Sequence, residues 1–272
     1  MSSIDQDFRI GPYRIIRHIA HGGMGAVYEV EDIETESRYA LKLAATQQGN
    51  TDRFQHVHQA LHAINHPGIL RSHRYDVTPD GRPYMLFEMI EGDPSQVFAK
   101  SLGSPGTPER TTAVVTVGIH LAEALHHLHQ NSIIHRDVKS ANVLVRPDRS
   151  ACLIDFDSAI MPGIPAAAGR FVGTYTYAPP EQLKGHAVDA RSDVYAMGVL
   201  LFRMISGKRP FDGDDPQQII DHHLRTPVPI LSSIVEGVPS GVAAVVQSMM
   251  EKNPTHRPQS AAIVAMRLRE AH

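Results

Sequence analysis

The 272-residue sequence predicts an α+β fold, a small, mainly antiparallel β portion with one helix followed by a larger, mainly α portion. Three observations predict it. Short runs of β-branched and aromatic residues, separated by glycine or polar turns, fill the first third of the chain. From Pro108 onward the apolar residues recur at helical spacing. Between them Gly92 to Pro108 is less hydrophobic and rich in Pro, Ser and Gly, which sets the expected division at 13–91 and 92–272.

Composition narrows the function classes. Hydrophobic residues at 42% and charged residues at 20% describe a globular protein with a sizeable core. A formal net charge of -3 leaves no overall electrostatic footprint for nucleic acid or an anionic membrane. A single cysteine, Cys152, rules out an internal disulfide and argues against a Cys-based zinc site. The N-terminal stretch MSSIDQDFRIGPYR lacks the apolar core of a secretory leader, and no segment reaches the roughly 20 apolar residues of a membrane span, so a cytoplasmic location is expected. Composition is silent on oligomeric state.

Taken in order, the stretch from Tyr13 to Ala44 reads as antiparallel strands. Its first turn, Ala20-His21-Gly22-Gly23-Met24-Gly25-Ala26-Val27, can bring backbone N–H groups close to an anion, although such a hairpin alone is more often a plain turn. Tyr39-Ala40-Leu41-Lys42 closes the next strand pair with one cation. Arg53 to Asn65 carries Phe54, Val57, Leu61 and Ile64 on one face, a helix stopped by His66-Pro67-Gly68. His58 and His62 share a face at i, i+4, read as a solvated face rather than a metal pair; His126, His127 and His129 are read as structural or superficial. Ile69 to Glu91 supplies two strands around Thr78-Pro79-Asp80-Gly81. Later helices are expected after Pro108, over Ser192 to Ser206, and over Ser260 to Ala271.

The chemistry concentrates in Ile133 to Asp157, IIHRDVKSANVLVRPDRSACLIDFD. Asp137 can accept a proton, Lys139 can stabilise negative charge, and Asn142 and Asp155 offer hard oxygens suited to Mg²⁺. The order His-Arg-Asp-x-Lys-x-x-Asn, an apolar strand, then Asp-Phe resembles the catalytic and magnesium loops of protein kinases. The resemblance, to eukaryotic-like serine/threonine kinases including bacterial ones, runs from about Tyr13 to Leu268. It implies the bilobal kinase fold and transfer of the ATP γ-phosphoryl group to Ser or Thr of protein substrates, with Mg²⁺. It implies that Asp137 is the base, that Lys139 neutralises the transferred group, that Lys42 holds the α- and β-phosphates, and that Thr174 bonds to Asp137 and Lys139. By the same resemblance Ile19, Ala20, Gly22, Gly23, Gly25 and Val27 cover the nucleotide. Ala40 and Leu144 sandwich the adenine, Phe87 is the gatekeeper, and Glu88 and Ile90 offer backbone groups. Pro179-Pro180-Glu181 looks like the Ala-Pro-Glu motif, and Arg257 matches the arginine that pairs with its glutamate.

Four departures from that pattern concern assembly of the site rather than transfer. Ala20 stands at the first glycine of the loop. Val57 stands where the helix glutamate that pairs with Lys42 is expected, and Asp52 is the only acid from Leu43 through Tyr75. Asp157 replaces the glycine of Asp-Phe-Gly, which narrows the available backbone conformations and offers a carboxylate toward Lys42 or Arg136. Ala159 to Val172 contains no Ser, Thr or Tyr, so Arg136 has no phosphorylated residue there to grip. The alternative function is a pseudokinase, a nucleotide-binding or scaffolding module.

Overall fold

In the computed structural model, residues 9–22, 24–45, 51–163 and 172–272 are described, Thr51 by its backbone only. The chain divides into two units, one with the residues up to Asn65 and Ile69–Ile90, the other with His66–Gly68 and Glu91–His272.

The first unit is an antiparallel sheet. Strands β1 (Arg9–Ile10), β2 (Tyr13–Gly22), β3 (Gly25–Asp32), β4 (Arg38–Ala44), β5 (Ser72–Val77) and β6 (Pro83–Glu88) run in the order β1-β2-β3-β4-β6-β5. Alternation sends Ile10, Tyr13, Ile15, Val30, Leu41, Leu43, Tyr84 and Leu86 into one core, where Tyr13 meets Tyr39 and Tyr84 edge-on. Cross-strand charge reinforces the register, for Glu29 accepts from Arg17 Nε and Arg38 Nη1, each at 2.6 Å. The Arg38 bond, with that of Arg17, holds the Glu29 carboxyl below its ordinary range against the opposing effect of burial. The turn between β5 and β6 closes with Gly81 N–H on Thr78 O at 2.8 Å, Gly81 having φ +83°.

Helix α1 (Thr51–Ala63) lies against β5 and β6 through its apolar stripe, and Phe54, Val57 and Leu61 are all buried. His58 and His62 on this helix are bonded, not merely solvated. His58 Nδ1 meets Ser72 Oγ at 2.8 Å and His62 Nδ1 meets Ser72 O at 3.1 Å, so the pair staples α1 to β5.

The second unit is helical. Gly92 to Pro108, expected from its composition to hold the division of the chain, contains β7 (Asp93–Pro94) and α2 (Ser95–Ser101). Tertiary contacts explain this short helix: Ala99 is fully buried, and Gln96 N–H donates to Ser140 Oγ at 2.7 Å. Helix α3 (Pro108–Gln130) begins with Thr107 as N-cap and Pro at its first turn. Strands β8 (Val143–Val145) and β9 (Ala151–Leu153) pair antiparallel and follow the 3₁₀ turn Ser140–Asn142. Helix α4 (Pro180–Leu183) precedes α5 (Ala190–Ser206), which is buried almost throughout and stops at Gly207, φ +72°. Helices α6 (Pro216–Arg225), α7 (Leu231–Ile234), α8 (Ser240–Met249) and α9 (Ala261–Ala271) complete it, with α9 capped by Ser260 and packed on α3 and α8. Among the described residues no helix is long and apolar enough to cross a membrane.

Candidate active site

The catalytic stretch has little secondary structure of its own, so its shape must come from side chains that bind its backbone. Asp193, in the first turn of α5, does most of this. Its carboxylate, completely buried, accepts from His135 N–H at 2.9 Å, from Arg136 N–H at 2.8 Å and from His129 Nε2 at 2.8 Å. Burial alone would raise its pKa, but the bonds and charge from His129 and His135 outweigh that and leave it below the ordinary aspartate value. His135 extends the frame. Its Nδ1 accepts from Asp137 N–H at 3.3 Å, so Nε2–H is the donor to Ile154 O at 3.2 Å, and its ring meets Phe156 edge-on.

Within this frame Asp137 is nearly buried and both its oxygens are engaged. Oδ1 accepts from Thr174 Oγ1 at 2.8 Å, and Oδ2 accepts from Lys139 Nζ at 2.7 Å. Lys139 Nζ also donates to Thr174 Oγ1 at 3.0 Å, closing a three-residue ring across 35 residues of chain. Asn142 Nδ2 donates to Asp137 O at 2.9 Å and to Oδ2 at 3.1 Å.

Those two bonds spend the Asn142 amide hydrogens and leave its carbonyl oxygen as the ligating atom. The next anchor, Ile154 N–H on Asn142 O at 2.9 Å, comes one residue before Asp155. Among the described residues no group of three or more His, Cys, Asp or Glu could hold a metal. Mg²⁺ takes one or two hard protein oxygens and completes its shell with phosphates and water, and the Asn142 amide oxygen and the Asp155 carboxylate are oxygens of that kind. Asp155 is held at φ +63°, a conformation an aspartate adopts at a cost.

The nucleotide candidates fall on both units. In the first, Ala20 pairs with Val27, and Val27 with Lys42, across β2, β3 and β4. Ala20 lies in extended strand, so the missing glycine imposes no strain there. Gly25 needs to be glycine: its φ is +154°, and a Cβ would stand 2.0 Å from Leu43 O. At Gly22 a Cβ would meet nothing within 4 Å. Gly23 lies outside the described residues. Ile19 is exposed on β2, Lys42 is 8% exposed, and Ala40 pairs with Phe87. Glu88 N–H donates to Arg71 O at 3.3 Å, and Ile90 follows the end of β6. In the second unit Leu144 sits half-buried on β8 opposite Cys152.

Behind the ring, Arg257 meets Glu181 with Nη1 at 2.7 Å and Nη2 at 2.9 Å. Its remaining hydrogens go to the carbonyls of Arg191, Glu251 and Lys252, so all five donors are used. Residues 13–268 match the protein kinase domain. The chain belongs to the protein kinase domain family. It is 34% identical over 271 residues to serine/threonine-protein kinase PknD of Mycobacterium tuberculosis, covering 97% of this chain and 40% of that protein. Against serine/threonine-protein kinase PknH of Mycobacterium bovis it is 32% identical over 276 residues, 98% of this chain and 46% of the relative. The DNA damage-responsive serine/threonine-protein kinase RqkA of Deinococcus radiodurans is 31% identical over 261 residues, 94% and 39% respectively. The kinase domain thus spans less than half the length of these relatives, and the family implies ATP and Mg²⁺ for it.

Two members of the frame escaped the motif reading. In the sequence Asp193 is only one residue of the helix expected over Ser192 to Ser206, and His129 only one of three neighbouring histidines with His126 and His127. The chain direction hid both: they approach His135 from 58 residues downstream and six upstream, and only burial distinguishes them from a helix cap and a surface ring.

Proposed function

We propose that this kinase domain transfers the γ-phosphoryl group of ATP to Ser or Thr hydroxyls of protein substrates. The observation that carries the reading is the ring of Asp137, Lys139 and Thr174. An acceptor hydroxyl bonded to the Asp137 carboxylate gives it its proton as the oxygen forms a bond to the γ-phosphorus; the bond from that phosphorus to the bridging oxygen of ADP breaks, and ADP leaves. Lys139 orients Asp137 and places a positive charge beside the transferred group. Lys42 and the glycine turn hold the phosphates, and Asn142 and Asp155 hold Mg²⁺, which when bound neutralises phosphate charge. Thr174 in the ring favours hydroxyl acceptors of the Ser/Thr class.

Activation follows the departures. Val57 gives the helix an apolar side chain where a glutamate is expected, and no hydroxyl between Ala159 and Val172 can take a phosphate, so activity does not depend on phosphorylation of this loop, Ser158 to Tyr177. Asp157 stabilises one state of its loop, and Asp157→Gly is expected to change ATP affinity or turnover; identical constants would end that idea.

Labelled ATP, Mg²⁺ and a generic basic protein, beside Asp137→Asn, test the whole reading. Incorporation that disappears in the variant is expected. Nucleotide binding without incorporation in the unaltered chain would instead assign a scaffolding role. Mapping an essential phosphosite to Ser158 or Thr174 to Tyr177 would overturn the activation reading alone.

A further inference from the structure

Gln182 follows Glu181 in α4, is 3% exposed, and has a part that no motif assigns. Its Nε2 donates to Arg136 O at 3.0 Å and to Val172 O at 2.7 Å. The first carbonyl belongs to the peptide that enters Asp137; the second lies two residues before Thr174. One amide therefore ties together the two chain segments whose side chains must meet in the Thr174–Asp137 bond.

Three further observations show that this bridge is built. Gly173, between Val172 and Thr174, has φ +117°, and a Cβ there would stand 2.7 Å from Gln182 Nε2 and 2.8 Å from Arg136 O. The absent side chain makes room for the amide. Arg136 has φ +66°, unfavourable for a non-glycine, so its peptide needs holding from both sides: Asp193 takes its N–H and Gln182 its carbonyl. Finally, Gln182 Oε1 is buried without a hydrogen-bond partner among the described residues. A buried orphan acceptor costs stability, and a side chain chosen for stability alone would not leave one.

We propose that Gln182 is a positioning residue for phosphoryl transfer, holding Arg136 and Val172 so that Thr174 reaches Asp137, an inference that rests on the kinase reading above. It also gives the Glu181–Arg257 pair a task. That pair fixes α4, and Gln182 carries the fixed position to the catalytic ring.

The test uses Gln182→Met, similar in length but without donors, and Gln182→Glu, whose carboxylate would face two carbonyls. Two readouts are needed. For turnover, kcat is expected to fall at least tenfold in both variants with KM for ATP within twofold, and Gln182→Met is expected to add no loss in a Thr174→Ala background. A merely structural residue would lower activity equally in both backgrounds. The second readout is amide hydrogen exchange over Gly173 to Tyr177, expected to be at least tenfold faster in Gln182→Met while the α5 amides keep their rates. Exchange decides the bridge even if the unaltered chain transfers no phosphate, a result that would sink the kinase reading only. Unchanged exchange over Gly173 to Tyr177, or equal activity losses with and without Thr174, would overturn the role of Gln182.

Discussion

Removing both members of the Glu181–Arg257 pair should destabilise the fold by clearly less than the sum of the two single losses, and the size follows from burial. Arg257's side chain is fully buried and Glu181's is 10% exposed, so water can replace neither partner. Glu181→Met strands a guanidinium that keeps three carbonyl acceptors but loses its counter-charge. Arg257→Met leaves a carboxylate with Ser192 Oγ, at 2.8 Å, as its remaining donor. Breaking a buried pair from one side costs about 3–5 kcal/mol, and the retained carbonyls favour the lower end for Glu181→Met. At about 2–4 °C per kcal/mol for a chain of this size, Glu181→Met should melt about 6–12 °C lower and Arg257→Met about 6–20 °C lower. The double variant has no stranded charge, so it should be more stable than the sum of the singles predicts by about 2–3 kcal/mol. Thermal melts of the four proteins at neutral pH measure this cycle. Strictly additive losses, or single losses below about 2 °C, would refute the reasoning, since either shows the charges to be solvated.

Asp193→Asn keeps one acceptor oxygen but turns a donor toward donors; it should cost about 3 kcal/mol from the lost charge-assisted bonds, and kcat in a peptide assay should fall more than KM for ATP rises. His223 is fully buried, bonded through Nδ1 to Tyr195 OH at 2.9 Å, and burial first, then the charge of Lys252, pulls its pKa down to about 3. A neutral histidine in the fold and a protonatable one in the unfolded chain give stability that is complete above pH 6.5 and lost as pH falls toward 3, at about 1.4 kcal/mol per pH unit; melts from pH 7.5 to 5.0 should show this acid slope, and His223→Phe should flatten it. Gly25→Ala should cost about 3 kcal/mol from overlap and strained φ, whereas Gly22→Ala should melt within about 0.5 kcal/mol of the parent; equal effects would contradict the geometry of the turn.

How much of this was legible in the sequence depended on the distance over which each residue acts. Asp137, Lys139 and Asn142 lie within six residues, so their spacing alone could suggest one site, and the structure joins them by bonds of 2.7–3.1 Å. The strands of the first unit and the stripe of α1 were equally readable, because alternation and helical periodicity are local. Helix α2 was not: its seven residues have weak helical character and depend on Ser140, 44 residues away, for a backbone anchor. Asp193 and Gln182 were hidden for the same reason, since a buried carboxylate or amide differs from a surface one only by what surrounds it.

Two of the positive-φ residues, Arg136 and Asp155, explain why the frame is so heavily bonded. Arg136 directly precedes Asp137 and Asp155 lies between Lys139 and Thr174 in sequence; at φ +66° and +63°, each costs about 1–2 kcal/mol against an ordinary conformation. Arg136 is held by Asp193 and Gln182, and the residue before Asp155 by Asn142. Asp157, by contrast, is not among the positive-φ residues, so an aspartate in place of the family's glycine is unstrained in the conformation described. Its penalty falls only on arrangements that would need a left-handed backbone at that position. An aspartate at this position is thus compatible with the observed backbone and disfavours alternatives with a left-handed residue there.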